Sequence, residues 1–294
     1  MEATVWLTAQ ECKVWLFYVR SQQRLALSAN ILREICEYLS VRKKIPCING
    51  DKLRLYDLVS LSSTSHSLSV LMSMRWVHCF FRNNQFLSVR DAPHTQTYEI
   101  NLDSVTVTPA GNLHNGRDWP GLIWVKNWIY AFGGQSKRVA RKCEKYEISG
   151  KRWSDLSDCK YEKACFMPCM YHTEVYLCCS SKAGSPFEAF HPIQETFRDL
   201  PMQYQNGIYG SVTFLVDETL WTILYDGNLL QWSPKNNVSK EQSIDILKDK
   251  DSAYSNISPV QVGDSVYWVN YFTGSLVTLE LSTLSLRPEL ASLQ

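Results

Sequence analysis

One local pattern returns along this chain at nearly constant intervals, and that recurrence limits the folds open to it. It is clearest in IYAFGGQSKRVARKCEKYEISGKRWSDL, from Ile129 to Leu156. Trp128 to Phe132 reads as a strand ending at Gly133-Gly134, and Lys142 to Ile148 as a second strand centred on Tyr146. Ser149-Gly150-Lys151 is a tight turn, after which Trp153 begins a third strand. Gly121 to Val125, before a Lys126-Asn127 turn, adds another strand upstream. Four short strands joined by turns make one small antiparallel sheet. The same order returns in QFLSVRDAPHTQTYEINL, EVYLCCSSKAGSPFEAFHPIQETFRDLP, LWTILYDGNLLQWSPKN and SVYWVNYFTGSLVTLELSTLSLRPEL. Tyr98, Tyr146, Phe190, Trp232 and Leu279 occupy the same slot, separated by 48, 44, 42 and 47 residues. Phe197 follows Phe190 as Trp153 follows Tyr146, seven residues on in both.

A period of about 40 to 50 residues with four strands in each copy is the signature of a β-propeller. A single four-stranded sheet cannot bury both of its faces, whereas sheets set radially pack each face on a neighbour. Large aromatic side chains in the recurring slots suit that layer between sheets. Gly133-Gly134, Tyr146 and Trp153 at this spacing resemble the Kelch repeat. The resemblance spans residues 81–294 and implies a mainly β, Kelch-type propeller of about five recognisable four-stranded blades, with a sixth left open.

Before residue 81 the texture differs. In LSANILREICEYLS, Ser28 is placed as an N-cap, and Ile31, Leu32, Ile35, Cys36 and Leu39 form an apolar stripe opposite Arg33, Glu34 and Glu37. After a loop with Pro46 and Gly50, the residues Leu55, Leu58, Val59, Leu68, Leu71, Met72 and Trp76 recur at helical spacing. The expectation is a three-helix module over residues 21–80, behind a segment 1–20 with no assigned role. Three short helices bury too little alone and gain from a partner. The layout resembles an F-box: an opening Leu27, an Ile-rich first helix ending in Tyr38-Leu39, a Leu/Val/Ser second helix and a helix ending in Trp76. That resemblance implies docking on the Skp-type adaptor of an SCF-type ubiquitin ligase, with Leu27, Ile31, Leu32, Ile35 and Leu39 facing the adaptor. The other reading is that these helices cap the propeller.

No catalytic signature is present: there is no Gly-x-Ser-x-Gly, phosphate loop or His-Glu-x-x-His. Neither a catalytic residue nor a cofactor is expected. Net charge is +1, which offers nucleic acid or an anionic membrane no global field. The apolar patch from Val14 to Val19 is too short to span a bilayer. The 10 cysteines form no small disulfide framework and read as thiols in a reducing compartment, cytoplasmic with the nucleus open. Cys165, Cys169, His172, Cys178 and Cys179 come nearest to a metal set, yet their spacing is that of paired strands and not of a zinc knuckle. No metal is expected there.

The loop QSKRVARK joins the second and third strands of its blade and carries Lys137, Arg138, Arg141 and Lys142. Equivalent loops hold Arg90, Asp91 and His94; Lys182, Ser185 and Phe187; Tyr225 and Asp226; and Tyr271 and Phe272. Kelch proteins bind partners with loops at that end, and Arg beside exposed aromatics is the composition of interface anchors. The expected partner-binding rim is Arg90, Lys137, Arg138, Arg141, Lys142, Lys182, Tyr225, Tyr271 and Phe272, suited to an acidic protein. Two functions follow: a substrate receptor of a ubiquitin ligase, or a cytoskeletal or signalling scaffold unrelated to ubiquitin.

Overall fold

The computed structural model describes residues 44–49, 52–57, 62–67, 76–81, 85–90, 92–101, 104–178, 184–203, 211–224, 228–243, 259–262, 265–269 and 276–289. These residues form six antiparallel sheets in chain order. The first holds β1 (Lys44–Asn49), β2 (Lys52–Asp57) and β3 (Ser62–Ser67). The second holds β4 (Trp76–Phe81), β5 (Gln85–Arg90), β6 (Gln96–Asn101) and β7 (Thr106–Asn112). The third holds β8 (Gly121–Val125), β9 (Trp128–Phe132), β10 (Cys143–Glu147) and β11 (Arg152–Asp155). The fourth holds β12 (Cys169–Tyr171), β13 (Glu174–Leu177), β14 (Pro186–His191) and β15 (Thr196–Gln203). The fifth holds β16 (Ser211–Val216), β17 (Thr219–Leu224), β18 (Asn228–Ser233) and β19 (Val238–Ser243). The sixth holds β20 (Val260–Val262), β21 (Ser265–Val269), β22 (Leu276–Glu280) and β23 (Ser285–Glu289).

Each four-stranded sheet is a plain up-and-down meander. The recurring slot lies on the third strand. Tyr146 stands between Ile129 and Trp153, Phe190 between Val175 and Phe197, Trp232 between Leu220 and Ser239, and Leu279 between Val266 and Leu286. In the second sheet the slot belongs to Ile100, between Phe86 and Val107. Tyr98 sits two residues earlier, opposite Ser88 and Pro109, beside a bulge in the β6–β7 pairing. The aromatic ring of Tyr98 therefore marks the right strand but the wrong rung.

Four buried clusters lie between consecutive sheets. Leu87 and Val89 of β5 meet Ile129, Tyr146 and Trp153 of the third sheet. Tyr130 and Phe132 of β9 meet Val175 and Phe190 of the fourth, with Phe132 and Phe190 edge to face at 5.3 Å between centroids. Tyr176 and Phe187 meet Leu220 and Trp232 of the fifth, and Phe214 and Ile223 meet Trp268 and Leu279 of the sixth. The third, fourth and fifth sheets thus hide both faces on their neighbours, as the period requires. The first strands β4 and β8 adjoin, as do β12 and β16, while β1 lies beside β21 and brings the first sheet to the sixth.

The helical expectation fails for residues 52–57 and 62–67, which are the strands β2 and β3. The physical reason is visible in their sequences. Lys52-Leu53-Arg54-Leu55-Tyr56-Asp57 alternates polar and apolar residues, a period of two. Ser62-Ser63-Thr64-Ser65-His66-Ser67 has poor helix formers throughout. Trp76, expected at the end of a helix, begins β4, so strands precede the expected boundary at residue 81. The apolar stripe from Leu27 to Leu39 and the segment 1–20 lie outside the described residues. Among the described residues there is no helix, and none long and apolar enough to cross a membrane.

One backbone feature repeats in every four-stranded sheet. The residue just before the fourth strand is left-handed: Val105 (φ 52), Lys151 (φ 49), Glu195 (φ 55), Asn237 (φ 51) and Leu284 (φ 53). The turn closing the third and fourth strands demands that conformation whatever the side chain.

Candidate functional site

An up-and-down sheet sends its first and third turns to one end. The second-to-third loops and the sheet-to-sheet connectors go to the other, termed here the connector face. Two connectors on that face are built alike. In the one entering the third sheet, Glu144 of β10 accepts hydrogen bonds from the backbone amides of His114 (2.7 Å) and Asn115 (3.3 Å) and pairs with Arg117. In the next, Glu188 of β14 accepts from the amides of Lys160 (2.8 Å) and Tyr161 (3.2 Å) and pairs with Lys163 at 2.9 Å. All four charged side chains are wholly buried. Each glutamate stands two residues before the aromatic slot, Tyr146 or Phe190.

A buried ion pair alone often fails to offset its desolvation. Here the carboxylate also accepts from two backbone amides of the connector, so the pair organises that segment. Arg117 extends the device, donating from Nη1 to the carbonyls of Gly133 (2.9 Å) and Lys142 (2.8 Å).

Gly133 and Gly134 pass between these two connectors. The amide of Gly134 donates to the carbonyl of Lys163 (2.8 Å), and the amide of Gln135 donates to that of Asp118 (2.8 Å). Gly133 has φ +65, and a Cβ there would stand 2.2 Å from the Lys163 carbonyl oxygen. Only glycine lets the backbone through. Beyond the glycines the loop closes on itself. Val139 and Ala140 both donate to the Ser136 carbonyl, Gly133 donates to that of Lys142, and Val139 and Ala140 are buried.

The rim residues fall into three groups. Lys137 and Arg138 are exposed at the loop tip, with no hydrogen bond or ion pair among the described residues. Arg141 and Lys142 are exposed too but anchored: Arg141 Nε donates to the Cys159 carbonyl (2.8 Å), and Lys142 pairs with Asp158 at 3.0 Å. Arg90 ends β5, half-buried, and its Nε has no hydrogen-bond partner among the described residues. His94 is half-buried nearby, whereas Ser185 and Phe187 are buried and Phe187 belongs to a core cluster. Asp91, Lys182, Tyr225, Asp226, Tyr271 and Phe272 lie outside the described residues.

At the opposite end, charges tie one sheet to the next. Lys151 pairs with Glu99 at 2.9 Å, Lys145 pairs with Glu195, and His172 pairs with Glu218 at 3.1 Å. These pairs join the second sheet to the third, the third to the fourth and the fourth to the fifth.

Among the described residues Cys165, Cys169, His172 and Cys178 do not gather as a metal set, and Cys179 lies outside them. His172 sits in the β12–β13 turn, engaged with Glu218. Burial pushes the Cys169 thiol up to about 12, and hydrogen bonding with Cys143, then burial, pushes the Cys159 thiol far up. Among the described residues the candidate ligands brought together are instead His114, Glu144 and Asp155. Both Glu144 oxygens are already committed to Arg117 and to the amides, so the carboxylate acts as a cap.

Sequence reasoning missed Glu144, Glu188, Arg117 and Lys163. The available signal was a glutamate two residues before the slot, with a cation 27 and 25 residues upstream of it, in two successive copies.

No family model and no curated protein matches the chain. Solved structures do. A chain of the nidogen/laminin complex is 12% identical, with a TM-score of 0.63, over 83% of this chain and 91% of that one. YjhT is 10% identical, with a TM-score of 0.58, over 74% of this chain and 85% of its own. Both are β-propellers, and at such identities the likeness carries the fold alone: this chain is a β-propeller-like assembly of antiparallel sheets.

Proposed function

We propose that this chain is a non-catalytic, Kelch-type propeller that binds a protein partner on its connector face. The Kelch assignment rests on Gly133-Gly134, Tyr146 and Trp153, with the glycines at the point where the backbone is squeezed between connectors. One observation carries the binding role. The loop from Gly133 to Lys142 is held by buried residues and hydrogen bonds, yet its tip presents Lys137 and Arg138 with no internal partner among the described residues. A loop already ordered spends little conformational entropy on binding. No bond is made or broken by the chain in this reading; its product is proximity.

The test is quantitative co-precipitation with three proteins: wild type, Lys137→Glu/Arg138→Glu, and the control Lys126→Glu/Lys235→Glu, whose exposed lysines lie at the opposite end. Partners retained by wild type and control but lost from the loop variant support the reading. Identical partner sets in all three contradict it.

A substrate-receptor role in a ubiquitin ligase is a second reading, carried by the apolar stripe Leu27, Ile31, Leu32, Ile35 and Leu39. The later helices that this layout needs are not supported, since residues 52–57 and 62–67 are strands and Trp76 begins another. Pulldown with the Skp-type adaptor decides it: retrieval by wild type and not by Ile31→Asp/Ile35→Asp supports it, and no retrieval by wild type removes it.

A further inference from the structure

We infer that the first sheet is a blade whose innermost strand is missing among the described residues, and that the segment from Tyr38 to Val41 docks along β1 to complete it. Register locates the gap. In every four-stranded sheet the slot on the third strand stands opposite the second residue of the second strand and the second residue of the fourth, as Tyr146 stands opposite Ile129 and Trp153. In the first sheet that rung is Tyr56, opposite Ile45, the second residue of β1, and Ser63, the second of β3. Tyr56 precedes Ile100 by 44 residues, within the 42 to 48 that separate the other slots. The strands β1, β2 and β3 are therefore second, third and fourth strands. Burial agrees: Thr64, Ser65 and Ser67 are exposed, as is most of the outermost strand β19, whereas the third strands β10 and β14 are largely buried. β1 also lies beside β21, itself a second strand.

Among the described residues β1 pairs with β2 alone. Its other edge lies on the side where first strands meet, as β4 meets β8 and β12 meets β16. A strand edge presents backbone N–H and C=O groups that another strand can satisfy. The occupant is read from the residues before Lys44, which lie outside the described residues. In the third to sixth sheets two residues separate the first strand from the second, and the strand ends on either side of that turn pair with each other. The corresponding turn here is Arg42-Lys43, which sets Val41 opposite Lys44, Leu39 opposite Pro46 and Tyr38 opposite Cys47. The residue types fit. First strands end in Phe81, Val125, Tyr171, Val216 and Val262, and two residues earlier they carry Cys79, Ile123, Cys169, Phe214 and Val260. Val41 and Leu39 repeat that apolar spacing of two. Pro46 brings no N–H, so the completed sheet lacks one ladder bond at its rung. A strand here takes Leu39 out of the helical stripe, so the inference competes with the ubiquitin-ligase reading and is independent of the partner-binding one.

Disulfide trapping in the full-length chain tests the inference. Tyr38→Cys places a thiol opposite native Cys47, and Leu39→Cys/Pro46→Cys tests the neighbouring rung in the same register. Leu39→Cys alone is the control, one residue out of register with Cys47. Directly opposite residues bring their Cβ atoms within disulfide reach, whereas successive residues point to opposite faces. After mild oxidation with diamide, peptide mass spectrometry of a mixture of isotopically labelled and unlabelled chains reads which positions join and whether they belong to one chain. Position 38 is expected to join Cys47 within one chain, exceeding the link from position 39 to Cys47 by about tenfold or more, and position 39 is expected to join position 46 in the double variant. An in-register link from either variant supports the inference. No in-register link in either, equal linking of positions 38 and 39 to Cys47, or links formed only between chains would overturn it, the last in favour of a strand supplied by a second copy.

Discussion

Glu144 shows how much a single residue organises in this molecule. Its two oxygens hold the His114 and Asn115 amides and the buried Arg117 guanidinium. Glu144→Ala is predicted to lower unfolding free energy by about 3–5 kcal/mol in urea titrations, because a buried cation is left unpaired. Arg117→Lys is a subtler test. One ammonium cannot reproduce the planar fork that serves Gly133, Lys142 and Glu144 together, so a loss of about 1–3 kcal/mol is expected. A change within experimental error in either variant would show that the connector does not depend on the pair. Tyr130 gives a pH signature. Burial first, then the charge of Glu195, raises its hydroxyl to about 12. A raised folded value means this contribution is complete below the ordinary tyrosine value of about 10 and is lost as pH rises from there towards 12. Tyr130→Phe should therefore flatten the fall in melting temperature across that alkaline window; an unchanged slope would contradict the assignment.

At the scale of elements, the left-handed residue before each fourth strand explains why the repeats are hard to see. Val105, Lys151, Glu195, Asn237 and Leu284 share a backbone conformation and no chemistry. The turn is enforced by the sheet on either side, and five different residue types adopt it. A β-branched residue is the least suited to that conformation. Val105→Asn is predicted to raise stability by about 1 kcal/mol, read as a higher melting temperature; a lower one would mean that Val105 packs in a way that outweighs its strain. What was legible follows the same logic. The slots of Tyr146, Phe190, Trp232 and Leu279 could be read because burial between two sheets demands a large apolar side chain on the third strand. Tyr98 misled because the same face also carries Ile100 two residues later, and ring size drew attention from the more buried position. Glu144 and Glu188 were passed over because their counterparts are Tyr98, Leu230 and Val277, so no single residue type recurs. The strand at 52–57 was hidden by Leu53 and Leu55, which fit a period of two locally and a helical period when joined to Leu58 and Leu68.

At the scale of the whole molecule, sheets that each lack a dry face alone are mutually dependent. Tyr146 packs at a centroid distance of 5.3 Å on Trp153, and its hydroxyl donates to Glu99 of the preceding sheet (2.8 Å). Its loss is felt by both sheets, so Tyr146→Ala is predicted to cost about 3–5 kcal/mol and to leave a single cooperative transition. Among the described residues a sixth sheet, left open by the sequence, joins the five: the chain from Lys44 to Ser67 supplies three strands of it, and β1 brings it against β21 of the last. A crystal structure of the full chain, read at residues 44–67, bears on this most directly. A radial ring predicts three antiparallel strands there, with Lys44–Asn49 running alongside Ser265–Val269. Helices across 52–67, set apart from the sixth sheet, would contradict it.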